Sequence, residues 1–145
     1  MKKYEEIEHT ADLRIRIYGN SLEELFSNSA WAMMDCITDL KGVREDKSLE
    51  ISLEAEDKES LLVRWLEEIL YYLEVKGIIF CGFEVKIDGE KRLKAEARGE
   101  DFKEGRHIIT KEIKAVTYHT LEIKQINSKL PDGNQVWQAQ IIFDV

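Results

Sequence analysis

Five consecutive residues near the start of the chain, Glu8-His9-Thr10-Ala11-Asp12, carry four side chains that can ionise or form hydrogen bonds. They directly precede a run in which Leu13, Ile15 and Ile17 alternate with polar residues, which is the period of a strand with one buried face. A carboxylate and an imidazole this close together can bind a ligand or a metal ion. The same residues also suit a plain strand start in which His9 forms local hydrogen bonds. The sequence leaves both interpretations open at this point.

A second source of oxygen ligands lies at the other end of the sequence, in Ile141-Ile142-Phe143-Asp144-Val145. If Phe143 faces the core, Asp144 faces away from it, and the α-carboxylate of Val145 follows one residue later. Asp12 and Asp144 would converge if the last strand paired with the first, a pairing that the sequence alone does not establish. Two Asp side chains with a terminal carboxylate or carbonyl form a hard oxygen set, which suits Ca²⁺, Mg²⁺ or Mn²⁺ rather than Zn²⁺.

The histidines and the glycines offer no second catalytic motif. His9, His107 and His119 do not have the spacing of a zinc site. Tyr118 and His119 form a polar-aromatic cluster that could bind or catalyse, but such a cluster also caps and packs at the end of an element. We find neither a glycine loop that would cradle phosphate nor a nucleophile elbow, so the residues by themselves specify no reaction.

Composition narrows the class of protein. The chain has 145 residues, which is enough for one domain with a genuine hydrophobic core. Its net charge of −8 argues against a protein that generally coats nucleic acid, because phosphate binding needs clustered Lys and Arg. No apolar run is long enough for a membrane span, and no apolar segment of a secretory signal follows the N-terminal lysines, so we expect the cytoplasm. Cys36 and Cys81 are far apart in apolar surroundings, which predicts small buried side chains rather than a redox or metal role.

Caps and apolar periodicity predict the first elements. Ser21 and Glu24 fit a capping box, and apolar residues at helical spacing continue to about Ile37. Strand alternation then runs from Lys47 to Glu56. Asp57 can cap a second helix, whose apolar stripe consists of Leu61, Leu62, Trp65, Leu66, Ile69, Leu70 and Leu73.

The second half of the sequence predicts mainly strands. Gly77 is a fitting stop for the second helix, and alternating runs on both sides of Asp88-Gly89 predict a hairpin. Ile113 and Val116 suit a short helical turn, followed by a strand over roughly Thr120 to Gln125 and a strong turn at Leu130-Pro131-Asp132-Gly133-Asn134. The closing strand runs from Gln135 to Val145. We therefore predict an α+β fold in which two helices pack on one mostly antiparallel sheet, in a single domain over residues 1–145.

The order of these motifs resembles that of the archease family over essentially the whole length. The specific parts are the opening pentapeptide and the run Lys114-Ala115-Val116-Thr117-Tyr118-His119. The match also includes Arg14-Ile15-Arg16-Ile17-Tyr18-Gly19, Ile113, Trp137 and the last five residues. The helix matches Ser21-Leu22-Glu23-Glu24-Leu25-Phe26 and Leu61-Leu62-Val63-Arg64-Trp65-Leu66 would be weak alone. The resemblance implies a strand-helix-strand-strand core with an inserted α/β segment, here roughly Gly42 to Gly105, and places the first and last strands in one sheet.

The resemblance also implies a function. Archeases are accessory proteins, not enzymes, that assist the GTP-dependent tRNA-splicing RNA ligase by promoting guanylylation of its active-site histidine and multiple turnover. It implies a divalent metal site on Asp12, Asp144 and Val145, with Glu8 and His9 around the ligands. It assigns no role to Lys114 or His119. An alternative is a chaperone-like partner of an RNA methyltransferase or another RNA-modification enzyme, and neither function requires direct nucleic-acid binding or a membrane.

Overall fold

A computed structural model describes residues 3–7, 12–127 and 135–145. Its elements in chain order are β1 (Tyr4–Ile7), β2 (Leu13–Gly19), α1 (Leu22–Ile37), β3 (Lys47–Glu54), α2 (Lys58–Glu74), β4 (Ile78–Asp88), β5 (Arg92–Asp101), β6 (Ala115–Asn127) and β7 (Gln135–Asp144). The predicted α+β class is confirmed. The turn expected at residues 130–134 lies outside the described residues.

The strands form two antiparallel sheets, where one was expected. The four-stranded sheet has the order β1-β2-β7-β6, and the three-stranded sheet has the order β3-β5-β4. All three strands of the smaller sheet come from the segment that the resemblance marks as inserted. The larger sheet joins both ends of the described chain, because β2 pairs with β7 along its whole length.

Both helices begin at the residues that the caps predict. The Ser21 hydroxyl accepts a hydrogen bond from the Glu24 amide at 3.0 Å, while the Glu24 carboxylate accepts from the Asn20 amide at 3.1 Å. The Asp57 carboxylate accepts from the Ser60 amide at 2.7 Å, and this bond lowers the pKa of Asp57. These bonds satisfy amides that have no partner within the helix.

One hydrophobic core connects both helices with both sheets. Ile15, Ile17 and Phe143 of the larger sheet are completely buried, and α1 contacts both β2 and β4. The Trp65 indole of α2 donates a hydrogen bond to the Phe26 carbonyl of α1 at 2.9 Å. β2 and β7 both contribute buried residues to this core.

Two expectations in the strand regions were incomplete or wrong. The pattern did not predict β1, and the helical turn at Ile113 and Val116 is absent. Val116 instead pairs with Phe143 in an antiparallel ladder, and β6 extends from Ala115 to Asn127. The pairing register shifts between Thr117 and Glu122, so a bulge interrupts the period of two that identifies a strand.

The cysteines agree with their expected surroundings only in part. Cys36 and Cys81 are free thiols, and both are half-buried rather than fully enclosed. Burial nevertheless raises the pKa of each thiol.

Within residues 3–7, 12–127 and 135–145, no helix has the length and apolar composition needed to cross a membrane.

Candidate functional site

The register of β2 and β7 brings Asp12 and Asp144 to the same end of the larger sheet. The pairing runs from Gly19 and Trp137 to Leu13 and Phe143, and one more residue along each strand is an aspartate. The sequence had left this pairing open, and the structure supplies it. The two candidate ligands from opposite ends of the sequence therefore occupy opposing positions on neighbouring strands.

A third segment reaches the same place from β6. Ala115 pairs with Asp144, and the Lys114 amide donates a hydrogen bond of 2.7 Å to the Asp144 carbonyl. This bond fixes the backbone at the end of β7. One lone pair of the Asp144 carbonyl is thereby used, while its side chain and Val145 are exposed.

Burial along these strands explains why the carboxylates point where they do. Leu13 and Phe143 are buried on the core side of the sheet, and side chains alternate faces along a strand. The Asp12 side chain is 20% exposed, and its Oδ1 accepts a hydrogen bond from Nε of Arg14 at 3.2 Å. This ion pair restricts the orientation of the Asp12 carboxylate.

The donor set fits a hard divalent cation in its chemistry. Asp12 and Asp144 offer carboxylate oxygens, Val145 offers backbone oxygen, and such ligands suit Ca²⁺, Mg²⁺ or Mn²⁺. The described residues contain no group of three or more His, Cys, Asp or Glu side chains that could hold a metal. Glu8 and His9 lie outside the described residues, so their contribution stays a prediction.

Sequence reasoning missed Arg14 as a partner of Asp12. Arg14 is two residues further along and shares the outer face with Asp12, and this spacing was the available signal. The polar-aromatic cluster is exposed, since Tyr118 and His119 lie on the surface in the bulge of β6. In the Lys114–His119 run, the Lys114 amide donates a hydrogen bond to the Asp144 carbonyl.

A second polar cluster, also missed, surrounds the buried carboxylate of Glu100. It accepts hydrogen bonds from the Arg44 amide and from Nη2 of Arg106, and its Oε1 lies 3.5 Å from Nε2 of His107. The Arg44 hydrogen bond, with the positive charge of Arg106, lowers the pKa of Glu100. No sequence spacing connects these residues, because a loop and a strand end bring them together.

These features define a class of protein: a small α+β domain of two antiparallel sheets and two helices, with an aspartate next to the paired ends of β2 and β7. The model of the archease protein family (MTH1598/TM1083) matches residues 4–145. The chain therefore belongs to the archease family, as the sequence motifs indicated.

Curated relatives and a solved structure match over nearly the full length. Protein archease of Pyrococcus furiosus is 41% identical and that of Methanosarcina acetivorans 44% identical, each over 148 aligned residues. The alignments cover 100% of this chain and of the first relative, and 99% of this chain and 97% of the second. The solution structure of Methanobacterium thermoautotrophicum protein 1598 has a TM-score of 0.83 and 38% identity, with 100% of both chains covered.

Proposed function

We propose that this protein is a cytoplasmic accessory protein of tRNA splicing that activates the GTP-dependent RNA ligase. It would promote guanylylation of the ligase histidine and allow multiple turnover, without being an enzyme itself. Membership of the archease family supports the general role. The observation that carries the specific proposal is the pairing of Leu13 with Phe143, which sets Asp12 and Asp144 side by side.

The proposed mechanism uses Asp12, Asp144 and Val145 to hold a divalent cation and present it to the ligase active site. When bound there, the cation would neutralise negative charge on the nucleotide triphosphate during nucleotidyl transfer. Arg14 holds the Asp12 carboxylate in place, and the Lys114 amide holds the backbone of Asp144. These two contacts would preserve the ligand positions before the partner binds.

A cation at this site could act in another way, by ordering only the surface that docks on the ligase. The two roles differ in what a ligand substitution does to the complex. If the cation acts in the ligase active site, Asp144→Asn should still bind the ligase but no longer stimulate it. If the cation only orders the docking surface, Asp144→Asn should lose binding and stimulation together.

The test combines purified ligase, GTP, Mn²⁺ and cleaved tRNA halves with wild-type protein, Asp12→Asn or Asp144→Asn. The ligase–guanylate adduct and ligated tRNA are timed, and binding to the ligase is measured separately. We expect both variants to lose stimulation and to keep the thermal unfolding midpoint of the wild type. Glu84→Gln is the matched control, because Glu84 is an exposed carboxylate of β4.

Guanylylation at the wild-type rate with both variants would remove the carboxylate site from the mechanism. No stimulation by the wild-type protein would refute ligase activation itself and would favour the chaperone-like role with an RNA-modification enzyme. Direct RNA binding is not part of the proposal, because the net charge of −8 provides no general basic face.

A further inference from the structure

A cavity of about 780 Å³ lies between the segment that follows α1 and the loop before β6. It shares no lining residue with the carboxylate site. Its volume is in the range of small-molecule and cofactor sites. The lining residues that matter for binding are Asp39, Lys41, Arg44, Arg106, His107 and Thr110.

Cations outnumber carboxylates in this lining, although the chain as a whole is acidic. The lining contains three cationic side chains, those of Lys41, Arg44 and Arg106, and one carboxylate, that of Asp39. Oδ1 of Asp39 accepts a hydrogen bond from the Lys41 amide at 2.9 Å. Among the described residues, the Lys41 ammonium and the Arg44 guanidinium form no hydrogen bond or ion pair. Two cations are therefore available to an anionic ligand.

The third cation has a fixed orientation. Nη2 of Arg106 donates to the Gly42 carbonyl at 2.8 Å and to Oε2 of Glu100 at 3.1 Å. A guanidinium has five N–H donors, so this one nitrogen leaves further donors for a ligand. Glu100 is only 5% exposed, and it compensates part of the charge of Arg106 from behind the cavity wall.

The imidazole of His107 also has a fixed orientation. Its Nδ1 accepts a hydrogen bond from the Lys103 amide at 2.9 Å, so the hydrogen of the neutral ring lies on Nε2. His107 is only 8% exposed, and Nε2 is buried without a hydrogen-bond partner. Oε1 of Glu100 lies 3.5 Å from Nε2, so the imidazole is held beside the same carboxylate as Arg106.

We propose that this cavity binds the phosphate groups of a nucleotide-sized ligand. Guanidinium and ammonium groups are the side chains that bind phosphate oxygens best, and three of them suit a ligand with more than one negative charge. The inference does not depend on ligase activation, because it uses none of the residues proposed for it.

The test measures binding of tripolyphosphate and of ATP to the full chain by titration calorimetry. The variant Lys41→Gln/Arg44→Gln removes the two uncompensated cations without touching the contacts of Glu100, since Arg44 contacts that carboxylate through its backbone amide. Lys86→Gln/Arg92→Gln is the control with the same charge change, on an exposed hairpin where Arg92 forms only a surface ion pair. We expect the first pair to weaken binding by about tenfold or more and the control pair to leave it within about twofold.

A short 5′-phosphorylated oligonucleotide forms a separate arm, which distinguishes a free nucleotide from a nucleic-acid end as the source of the phosphate. Binding of the oligonucleotide alone, with the same dependence on Lys41 and Arg44, would support the phosphate site and assign it to nucleic acid. Perturbation of the His107 imidazole ¹⁵N resonance on titration would support the site directly. The proposal is overturned if no phosphate probe binds at millimolar concentration, or if both double variants weaken binding equally.

Discussion

Asp12 and Asp144 are separated by almost the entire sequence, yet they follow the paired residues Leu13 and Phe143 at one end of the larger sheet. The Lys114 amide holds the backbone of Asp144 from the other side. Two strands that contribute to a common core thus place two carboxylates side by side. This relationship is the structural basis for the first prediction.

Asp144→Asn should weaken binding of Mn²⁺ or Ca²⁺ by at least about tenfold, because it removes a charged oxygen ligand. Titration calorimetry with each metal alone provides the measurement, without the ligase. The fold should survive, since the Asp144 side chain is exposed and its structural contact is made by the backbone carbonyl. Glu84→Gln, at an exposed position of β4, should bind metal like the wild type. Equal affinity in Asp144→Asn and the wild type would contradict the proposed ligand set.

The elements that could be predicted from sequence are those whose own residues dictate them. Alternation at Leu13, Ile15 and Ile17 revealed β2 because only one face of this strand is buried. Ser21 and Asp57 located both helix starts because a cap acts within one turn. Local chemistry was sufficient in these cases.

The features of the fold that could not be predicted depend on contacts between residues that are distant in sequence. The division of the strands into two sheets is a matter of which strand pairs with which, and no periodicity encodes it. In β6 the bulge between Thr117 and Glu122 removes the alternation, so the strand could be read as a turn. At the site, residue type identified Asp12 and Asp144 as candidates, but only the register of β2 and β7 brings them together.

Trp65→Phe should lower the free energy of unfolding by about 2–3 kcal/mol. Trp65 is completely buried, and its indole donates to the Phe26 carbonyl at 2.9 Å. The substitution leaves a space between the helices and removes the hydrogen bond of the indole. Urea unfolding followed by circular dichroism measures the change. Trp31→Phe is the control, since Trp31 is half-buried. The contact of its ring with the Lys3 ammonium at 4.3 Å should contribute less than about 1 kcal/mol. Equal losses of stability in both variants would contradict the role of the helix–helix hydrogen bond.

Glu100 should make stability depend on pH in the acid range. The Arg44 amide first, then the positive charge of Arg106, holds the pKa of this carboxyl below its ordinary value of 4.5 in the folded state. The nearby Cys81 thiol stays neutral in this range. Above pH 4.5 the carboxylate is charged in both states, and its contribution to stability is complete. As pH falls below 4.5, the unfolded chain takes up the proton first, so stability decreases until the folded carboxyl is protonated as well.

Urea midpoints at pH 6 and pH 3.5 test this expectation in Glu100→Gln. The variant should be less stable than the wild type at pH 6 but should lose less stability between the two pH values. Glu104→Gln removes an exposed carboxylate nearby and should follow the wild-type pH profile. A Glu100→Gln profile parallel to that of the wild type would show that another group is responsible for acid destabilisation.

Cys36 should react slowly with iodoacetamide, even though it is a free thiol that is only half-buried. Burial, as the largest cause, raises its pKa from 9.0 to about 11, and the thiolate is the species that reacts. At pH 8 the thiolate population therefore falls by about a hundredfold relative to an ordinary thiol. Mass spectrometry of Cys81→Ser isolates the reaction of Cys36, and the rate should rise tenfold per pH unit up to about pH 10. The same protein unfolded in urea is the control. If the folded protein reacted at pH 8 as fast as the unfolded protein, burial would not protect the thiol.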